Sequence, residues 1–386
     1  MIIEIRGVDF VNKGAELMLY AVVQQVNSML GEATCVMSLR NGSFRQRSKI
    51  GVQHLTWVYI AKAPYAGKVL NTAAAVLPTN LRQRLQIVRE DEVDILFDAS
   101  GFLYSDKAWP KHMALSANRF KQLKQNGKKI ILLPQAFGPF QKQYSMQVAR
   151  DILSYADLVY ARDRQSYGYL RELGDDLESL RLAPDFTNLV SGRKPDYGDT
   201  LVNRPCIIPN YRMIDKTETD LAQKYLPFLV ACYRYLRQQE LNPFFLIHET
   251  GMDYTLAEAV QSQINEPVDI IRESNPLYLK SIIGNCSFTV GSRYHGLISA
   301  LSQNVPSVAV GWSHKYQSLL EDYGCPECLI DLYSPQEEML GKIELVVNET
   351  NRADILARIS HASVEQKART QSMWDEVNQF IQSLAR

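Results

Sequence analysis

The sequence predicts an α/β protein made of two doubly wound, Rossmann-like parallel-sheet domains. Three observations carry that expectation. Short apolar runs alternate with helix-period stretches along almost the whole chain, which implies parallel sheets with helices on both faces. The alternation breaks at "SGRKPDYGDTLVNRP", residues 191–205, which holds two Gly and two Pro and no period, as a linker does. The length, 386 residues, is large for one core and suits two. The expected division is residues 1–192, residues 204–349, and C-terminal helices over 350–386.

The elements follow in order. "IIEI" is the first strand. "NKGAELMLYAVVQQVNSML" is a helix: Leu17, Tyr20, Ala21, Val23 and Val26 lie broadly on one side, and Gly31 closes it. "TCVMSL", "DILFD", "KIILLPQ", "DLVYAR" and "LRLAP" continue the first sheet. Beyond the linker, "CIIPN", "PFFLIHE", "VDIIRE", "CSFTVGS", "PSVAVGW" and "CLIDL" build the second. The last 35 residues are polar with a helical period.

Composition excludes several classes. Hydrophobic residues make up 46% and charged residues 22%, an ordinary globular balance. The net charge is zero, so no nucleic-acid partner is expected. No run approaches the ~20 apolar residues of a membrane span. Glu4 interrupts the first apolar run, so the start reads as a strand and not a signal peptide. Six scattered cysteines give no disulfide framework and suit a cytoplasmic protein. Cys325 and Cys328 form a single "CPEC" pair, short of a zinc set, and no metal is expected. Charge distribution is less even. From residue 33 to residue 89 there is no acid, but there are Arg40, Arg45, Arg47, Lys49, Lys62, Lys68, Arg82, Arg84 and Arg89, with Trp57, Tyr59 and Tyr65. Such a segment fits a solvated basic surface, peripheral contact with an anionic membrane, or a grip on an anionic acceptor.

In doubly wound sheets, ligands lie beyond the carboxyl ends of the strands, and several strand ends here are polar. After the first strand, "VDFVNKGAE" sets Gly14 at the mouth of a helix, where an anion is attracted or a plain turn is made. "DASGFLYSD" offers Asp98, Gly101 and Asp106. "ARDRQS" offers Arg162, which Asp163 can orient, with Ser166 as a helix cap; a structural ion pair is the plainer alternative. In the second half, "IIPNYR" places Asn210 and Arg212 at a strand end, and "FLIHETGMD" places His248, Glu249 and Asp253 at another. "FTVGSRYHGLISAL" stops a strand at Gly-Ser and presents Arg293 and His295. Ser292 can cap the following helix, leaving both beside its positive end. A guanidinium, an imidazole and helix N–H groups suit a phosphate or carboxylate; a structurally paired Arg and a core His are the alternative. The next strand end adds His314 and Lys315.

In order along the chain, these elements resemble the polysaccharide pyruvyl transferase family. The resemblance rests on "NKGAE" (Asn12 to Glu16), "DASGFL", "QAFGP" (135–139), "RDRQS" (162–166), "APDF" with Asp185, and "RYHGLISALSQNVPSVAVGWSHKY" with Arg293, His295 and Gly296. Two departures stand in the first half: Ala99 and Ser100 replace glycines at the glycine-rich strand end, and Ala15 replaces an acid.

The resemblance implies a GT-B-like architecture with the active site in the interdomain cleft, the first domain on the acceptor side and the second on the donor side. It implies a cytoplasmic transferase that moves the enolpyruvyl unit of phosphoenolpyruvate onto two hydroxyls of a sugar in a surface, capsular or exopolysaccharide precursor. A cyclic pyruvate ketal forms and phosphate leaves. The co-substrate is phosphoenolpyruvate, the acceptor a sugar or lipid-linked oligosaccharide, and no metal or redox cofactor is required. His295, Arg293 and Lys315 are the expected catalytic set. Asn12, Gly14, Gly101, Arg162, Asn210, Arg212, Ser292, Gly296 and His314 are the expected substrate-binding set. Two competing classes remain. One is a nucleotide-sugar glycosyltransferase, with Arg293 and Lys315 on a diphosphate and an acid near "DYGCPEC" on a ribose. The other is a non-catalytic sugar-binding protein, which would not need a His beside an Arg.

Overall fold

The computed structural model describes residues 1–58, 66–174, 178–249, 251–311 and 313–384. The chain forms two units. Unit 1 comprises Met1–Phe10, Met18–Phe186 and the chain from Ser372 onward; unit 2 comprises Val11–Leu17 and Thr187–Gln371. This differs from the expected division in three ways. The segment 191–205 lies wholly inside unit 2, where Gly192 packs on the Ser281 backbone and the Arg193 N–H donates to Leu277. The "NKGAE" turn belongs to unit 2 and not to unit 1. The C-terminal region is one 35-residue helix shared by both units.

Unit 1 opens with β1 (Ile2–Arg6), and α1 (Lys13–Leu30) follows. Next come β2 (Thr34–Ser38), α2 (Phe44–Ile50), β3 (Gln53–Leu55), α3 (Ala66–Val76), α4 (Thr79–Arg84) and β4 (Ile87–Val88). β5 (Ile95–Asp98), α5 (Pro110–Gln125), β6 (Lys129–Gln135), α6 (Gln143–Tyr155), β7 (Leu158–Ala161), α7 (Arg164–Arg171) and β8 (Leu180–Leu182) complete it. The sheet order is β4-β3-β2-β1-β5-β6-β7-β8, with every pairing parallel. Ile130 to Leu133 are wholly buried, as expected of a central strand covered on both faces. Glu4, the acidic residue of β1, is buried and accepts from Arg119 at 2.5 and 3.2 Å. A buried carboxylate needs such a partner. Gly31, at φ +50°, ends α1 in the left-handed region.

Unit 2 runs β9 (Cys206–Ile208), α8 (Arg212–Asp215), α9 (Thr219–Gln238), β10 (Phe244–Ile247), α10 (Met252–Ile264), β11 (Ile270–Arg272) and α11 (Pro276–Gly284). It continues through β12 (Thr289–Gly291), α12 (Tyr294–Leu301), β13 (Ser307–Val310), α13 (His314–Asp322), β14 (Leu329–Ile330), α14 (Gln336–Val347) and α15 (Glu349–Ser383). Its parallel sheet is ordered β11-β10-β9-β12-β13-β14. Strand order therefore reverses between β1 and β5 in one sheet and between β9 and β12 in the other. Such switch points are where doubly wound sheets hold ligands.

Beyond residue 371, α15 returns to unit 1. Trp374, fully buried, packs at 6.3 Å from Phe97 and edge-on at 6.1 Å from Phe186. Tyr160 and Arg181 both donate to Glu376, at 2.9 and 2.8 Å. Trp374→Ala is expected to destabilise the protein by about 3–5 kcal/mol, read as a shift in the denaturant midpoint; a change below 1 kcal/mol would show that the helix end is not part of the core.

Candidate functional site

The switch point of unit 2 lies between the ends of β9 and β12, and the turn after β12 is fixed there from several sides. The Ser292 carbonyl accepts from Asn210 Nδ2 at 2.7 Å and from the Tyr316 hydroxyl at 2.9 Å. The Ser292 hydroxyl accepts from Tyr225 at 2.8 Å. Ser292 was expected to cap α12; its side chain is taken by Tyr225 instead, and Arg293 is the cap residue, without a capping side chain. Asn210 is equally committed, since its Oδ1 accepts from the Arg212 N–H at 3.0 Å. Gly296 lets α12 lie close on β9: a Cβ there would stand 3.1 Å from Ile208 Cδ1.

Arg293 is buried and faces two carboxylates. Its Nε and Nη2 donate to Asp253 at 2.9 and 2.6 Å, and its Nη1 donates to Glu249. Burial by itself would lower the Arg293 pKa; Asp253 and Glu249 outweigh it and hold the pKa above its ordinary value. Burial also lifts Asp253 above the usual carboxylate range, with Arg293 opposing. The bidentate geometry is that of an ionised pair. Asp253 further accepts from the backbone N–H groups of Tyr211 and Glu249, at 2.8 and 3.2 Å. One carboxylate thus joins the loops after β9 and β10 to the turn after β12. A cavity of about 90 Å³ opens beside it, lined by Tyr211, Arg212, Asp215, Glu249, Met252, Asp253 and Arg293. Arg212, more exposed, pairs with Asp215 at 2.6 Å and approaches Glu249 at 3.7 Å.

The "NKGAE" turn enters the same cluster. Asn12 Oδ1 accepts from the Gly14 N–H at 2.9 Å, and Asn12 bridges Glu249 through the backbone. Lys13 pairs with Glu16 at 2.6 Å. Gly14 lies directly under His295: a Cβ at position 14 would stand 2.5 Å from His295 Nδ1 and 2.8 Å from Cγ. A side chain there would push the imidazole aside. His295 also meets Tyr294 edge-on at 5.7 Å. On the neighbouring strand end, the Lys315 ammonium sits 5.2 Å from the Tyr294 ring and 5.4 Å from the Tyr316 ring, within cation–π range. His314 begins α13 beside it.

The structure therefore brings Asn12, Gly14, Asn210, Arg212, Ser292, Arg293, His295, Gly296, His314 and Lys315 into unit 2. Gly101 and Arg162 belong to unit 1. Gly101 adopts φ +70°, and its carbonyl accepts from Ala136 at 2.9 Å. Arg162 pairs with Asp185 at 3.1 Å, both buried. Asp163 caps α7, accepting from the Ser166 N–H and hydroxyl at 2.7 and 2.8 Å. Sequence reasoning noted His248, Glu249 and Asp253 at a strand end but did not place them in the site. It gave Lys13 no role at all. His248 is buried, with its Nδ1 unpartnered. Burial, then Arg293, His295 and Lys13, depress its pKa to about 3. Among the described residues no group of three or more His, Cys, Asp or Glu could hold a metal ion.

Comparison with known structures defines the class first. The fold is GT-B-like, with two Rossmann-like domains. HepE of Anabaena in complex with UDP-glucose is 12% identical, with a TM-score of 0.59 over 99% of both chains. The UDP-GlcNAc 2-epimerase of Neisseria meningitidis bound to UDP-GlcNAc is 7% identical, with a TM-score of 0.56 over 95% of this chain and 100% of that one. At such identities the likeness is one of fold. Residues 12–314 match the polysaccharide pyruvyl transferase model, and the chain belongs to that family. The amylovoran biosynthesis protein AmsJ of Erwinia amylovora is 24% identical over 262 residues, which span 62% of this chain and 62% of AmsJ.

Two outcomes follow from the cluster. Asp253→Asn strands a buried guanidinium and is expected to cost about 3–5 kcal/mol of stability, measured by urea denaturation; a loss under 1 kcal/mol would show that Glu249 alone suffices. His248 gives a pH signature. Below its ordinary pKa of 6.5 the unfolded chain takes up a proton that the folded chain resists down to about pH 3. Stability is thus complete above pH 6.5 and falls toward pH 3, by up to about 1.4 kcal/mol per pH unit. His248→Gln should flatten that slope in urea midpoints measured from pH 7 to 4; an unchanged slope would assign it to other groups.

Proposed function

We propose that this protein transfers the enolpyruvyl unit of phosphoenolpyruvate onto two hydroxyls of a sugar in a polysaccharide precursor, forming a cyclic ketal and releasing phosphate. The observation that carries the reading is the seating of the His295 imidazole on Gly14. It joins two family motifs about 280 residues apart at a switch point of the sheet.

The chemistry assigns roles. One acceptor hydroxyl adds to C2 of the enol while a proton goes to the methylene carbon. A second hydroxyl then displaces phosphate at C2, and its proton leaves with the phosphate. His295 is the proton carrier, since an imidazole titrates near neutrality. Lys315, with His314 beside it, is a seat for the donor's anionic groups. Arg293 is the second seat, and its occupancy gives that seat a definite form. Asp253 is wholly buried and fixes the fork, whereas Glu249 is partly exposed beside the cavity. Glu249 is the carboxylate that an incoming anion displaces, toward Arg212. Asn12 and Gly14 shape the floor under the imidazole. Unit 1 takes the acceptor, a sugar or lipid-linked oligosaccharide, at strand ends that include Gly101 and Arg162. The protein works in the cytoplasm, peripherally at the inner face of the membrane.

Incubation with phosphoenolpyruvate and acceptor should release inorganic phosphate; release of nucleoside diphosphate from a nucleotide sugar would instead make it a glycosyltransferase. His295→Ala should lower turnover by about 10²- to 10⁴-fold with an unchanged denaturation midpoint. Near-normal turnover would remove His295 from the chemistry. Lys315→Ala should raise the donor KM. Glu249→Gln should lower it, because a competing carboxylate is gone; a higher KM would mean that Glu249 supports the seat.

A further inference from the structure

Helix α3 presents its apolar side to solvent. Gly67, Asn71 and Ala74, at i, i+4 and i+7, form its inward face. A Cβ at Gly67 would press on the Val58 carbonyl at 2.7 Å. The Asn71 side chain accepts from the Thr56 hydroxyl at 2.9 Å and from the Glu90 N–H at 3.0 Å. The outward face repeats the same spacing with Val69, Ala73 and Val76, and Val69 and Val76 are 64% and 79% exposed. Leu70 beside them is exposed, as are Leu81 on α4, which buries no residue at all, and Leu85 just past its end. A surface helix normally turns its apolar stripe to the core. This one does the reverse, and exposed apolar residues gathered on one helix face mark a contact surface.

The charges around the patch choose the partner. No carboxylate occurs from residue 33 to residue 89. Lys68, Arg84, Arg45 and Lys49 are exposed, and α2 is tied to the end of α4 by the Ser48 hydroxyl donating to Gln86 at 3.2 Å. Three cations of this segment are not available. Arg82 and Arg89 pair with Glu92 and Asp91. Arg47 is buried, donating to the carbonyls of Leu39, Asn41 and Gly42 at 3.2, 2.8 and 2.7 Å. That corrects its reading as a surface charge. Trp57 is engaged too, under the guanidinium groups of Arg6 and Arg119 at 4.7 and 5.4 Å. Tyr59, Lys62 and Tyr65 lie outside the described residues. A second copy of this chain is a poor partner for the patch, because a two-fold contact would bring Lys68 and Arg84 toward their own images.

We infer that α3 and α4 are an interfacial anchor that lays Val69, Val76, Leu81 and Leu85 into an anionic lipid surface, with Lys68 and Arg84 on the headgroups. The inference rests on the surface of unit 1 alone, so it stands or falls separately from the donor chemistry.

The test is co-sedimentation of the full chain with phosphatidylglycerol–phosphatidylcholine vesicles and with phosphatidylcholine vesicles, at low and high salt. Selective, salt-sensitive binding to the anionic vesicles is expected. Val69→Glu/Val76→Glu should abolish it with an unchanged denaturation midpoint, since both positions are exposed. Lys68→Glu/Arg84→Glu should weaken it roughly 25-fold, about fivefold for each lost cation. No binding at low salt, equal binding to both vesicle types, or unchanged binding by the valine variant would overturn the inference. So would a dimer, seen by sedimentation velocity, that Val69→Glu/Val76→Glu splits.

Discussion

The fork between Arg293 and Asp253 is the constraint on which the rest of the unit 2 site depends. A guanidinium this deeply buried is tolerable only when its charge is answered, and Asp253 answers it with two hydrogen bonds at 2.6 and 2.9 Å. The same carboxylate gathers the backbone of Tyr211 and Glu249. Strand ends that come from residues about 40 and 80 apart in sequence are thereby held around one atom group. With Arg293 fixed, α12 starts at Tyr294 and His295 is carried onto the floor made by Gly14. The position of the imidazole is thus a consequence of electrostatics two residues away.

The second determinant is the path of the chain. Val11–Leu17 leaves unit 1 after one strand and belongs to unit 2 before α1 continues in unit 1. That excursion places Asn12, Lys13 and Gly14 beside residues near 250 and 295. Burial keeps His248 neutral, and Arg293, His295 and Lys13 deepen the effect. The site is therefore rich in cations, most of them answered by carboxylates: Lys13 by Glu16, Arg212 by Asp215, Arg293 by Asp253 and Glu249. Any anion that enters such a site must exchange partners, because most of the site's charges are already answered. This favours specificity over raw affinity.

Much of this was legible in the sequence, for identifiable reasons. Buried central strands read as continuous apolar runs, so "KIILLPQ" and "PFFLIHE" announced β6 and β10, and polar residues just past such runs pointed to the switch points. β3 and β4 were not legible, since "QHL" and "IV" are too short to show a period. Nor were the helices between them, where the apolar face of α3 points outward and inverts the usual pattern. Asp253 was visible as a polar residue past a strand, but its pairing with Arg293 was not, because the partner lies 40 residues away. Ser292 was misread as a cap because the Tyr225 hydroxyl that claims it lies 67 residues away. Arg47 was misread as a solvated charge because nothing in the sequence shows the loop carbonyls it gathers. Spacing reveals which residues share a face, and burial of polar groups emerges only with the tertiary fold.

The central claim is that the turn at Gly14 and the imidazole of His295 act as one site. The most direct measurement is a double-mutant cycle of Gly14→Ala and His295→Ala, read as phosphate released from phosphoenolpyruvate in the presence of acceptor. A methyl group at position 14 displaces the imidazole, so Gly14→Ala should lower turnover strongly in the wild-type background and hardly at all once His295 is alanine. Losses that simply add would contradict the claim, since they would place Gly14 and His295 in independent roles.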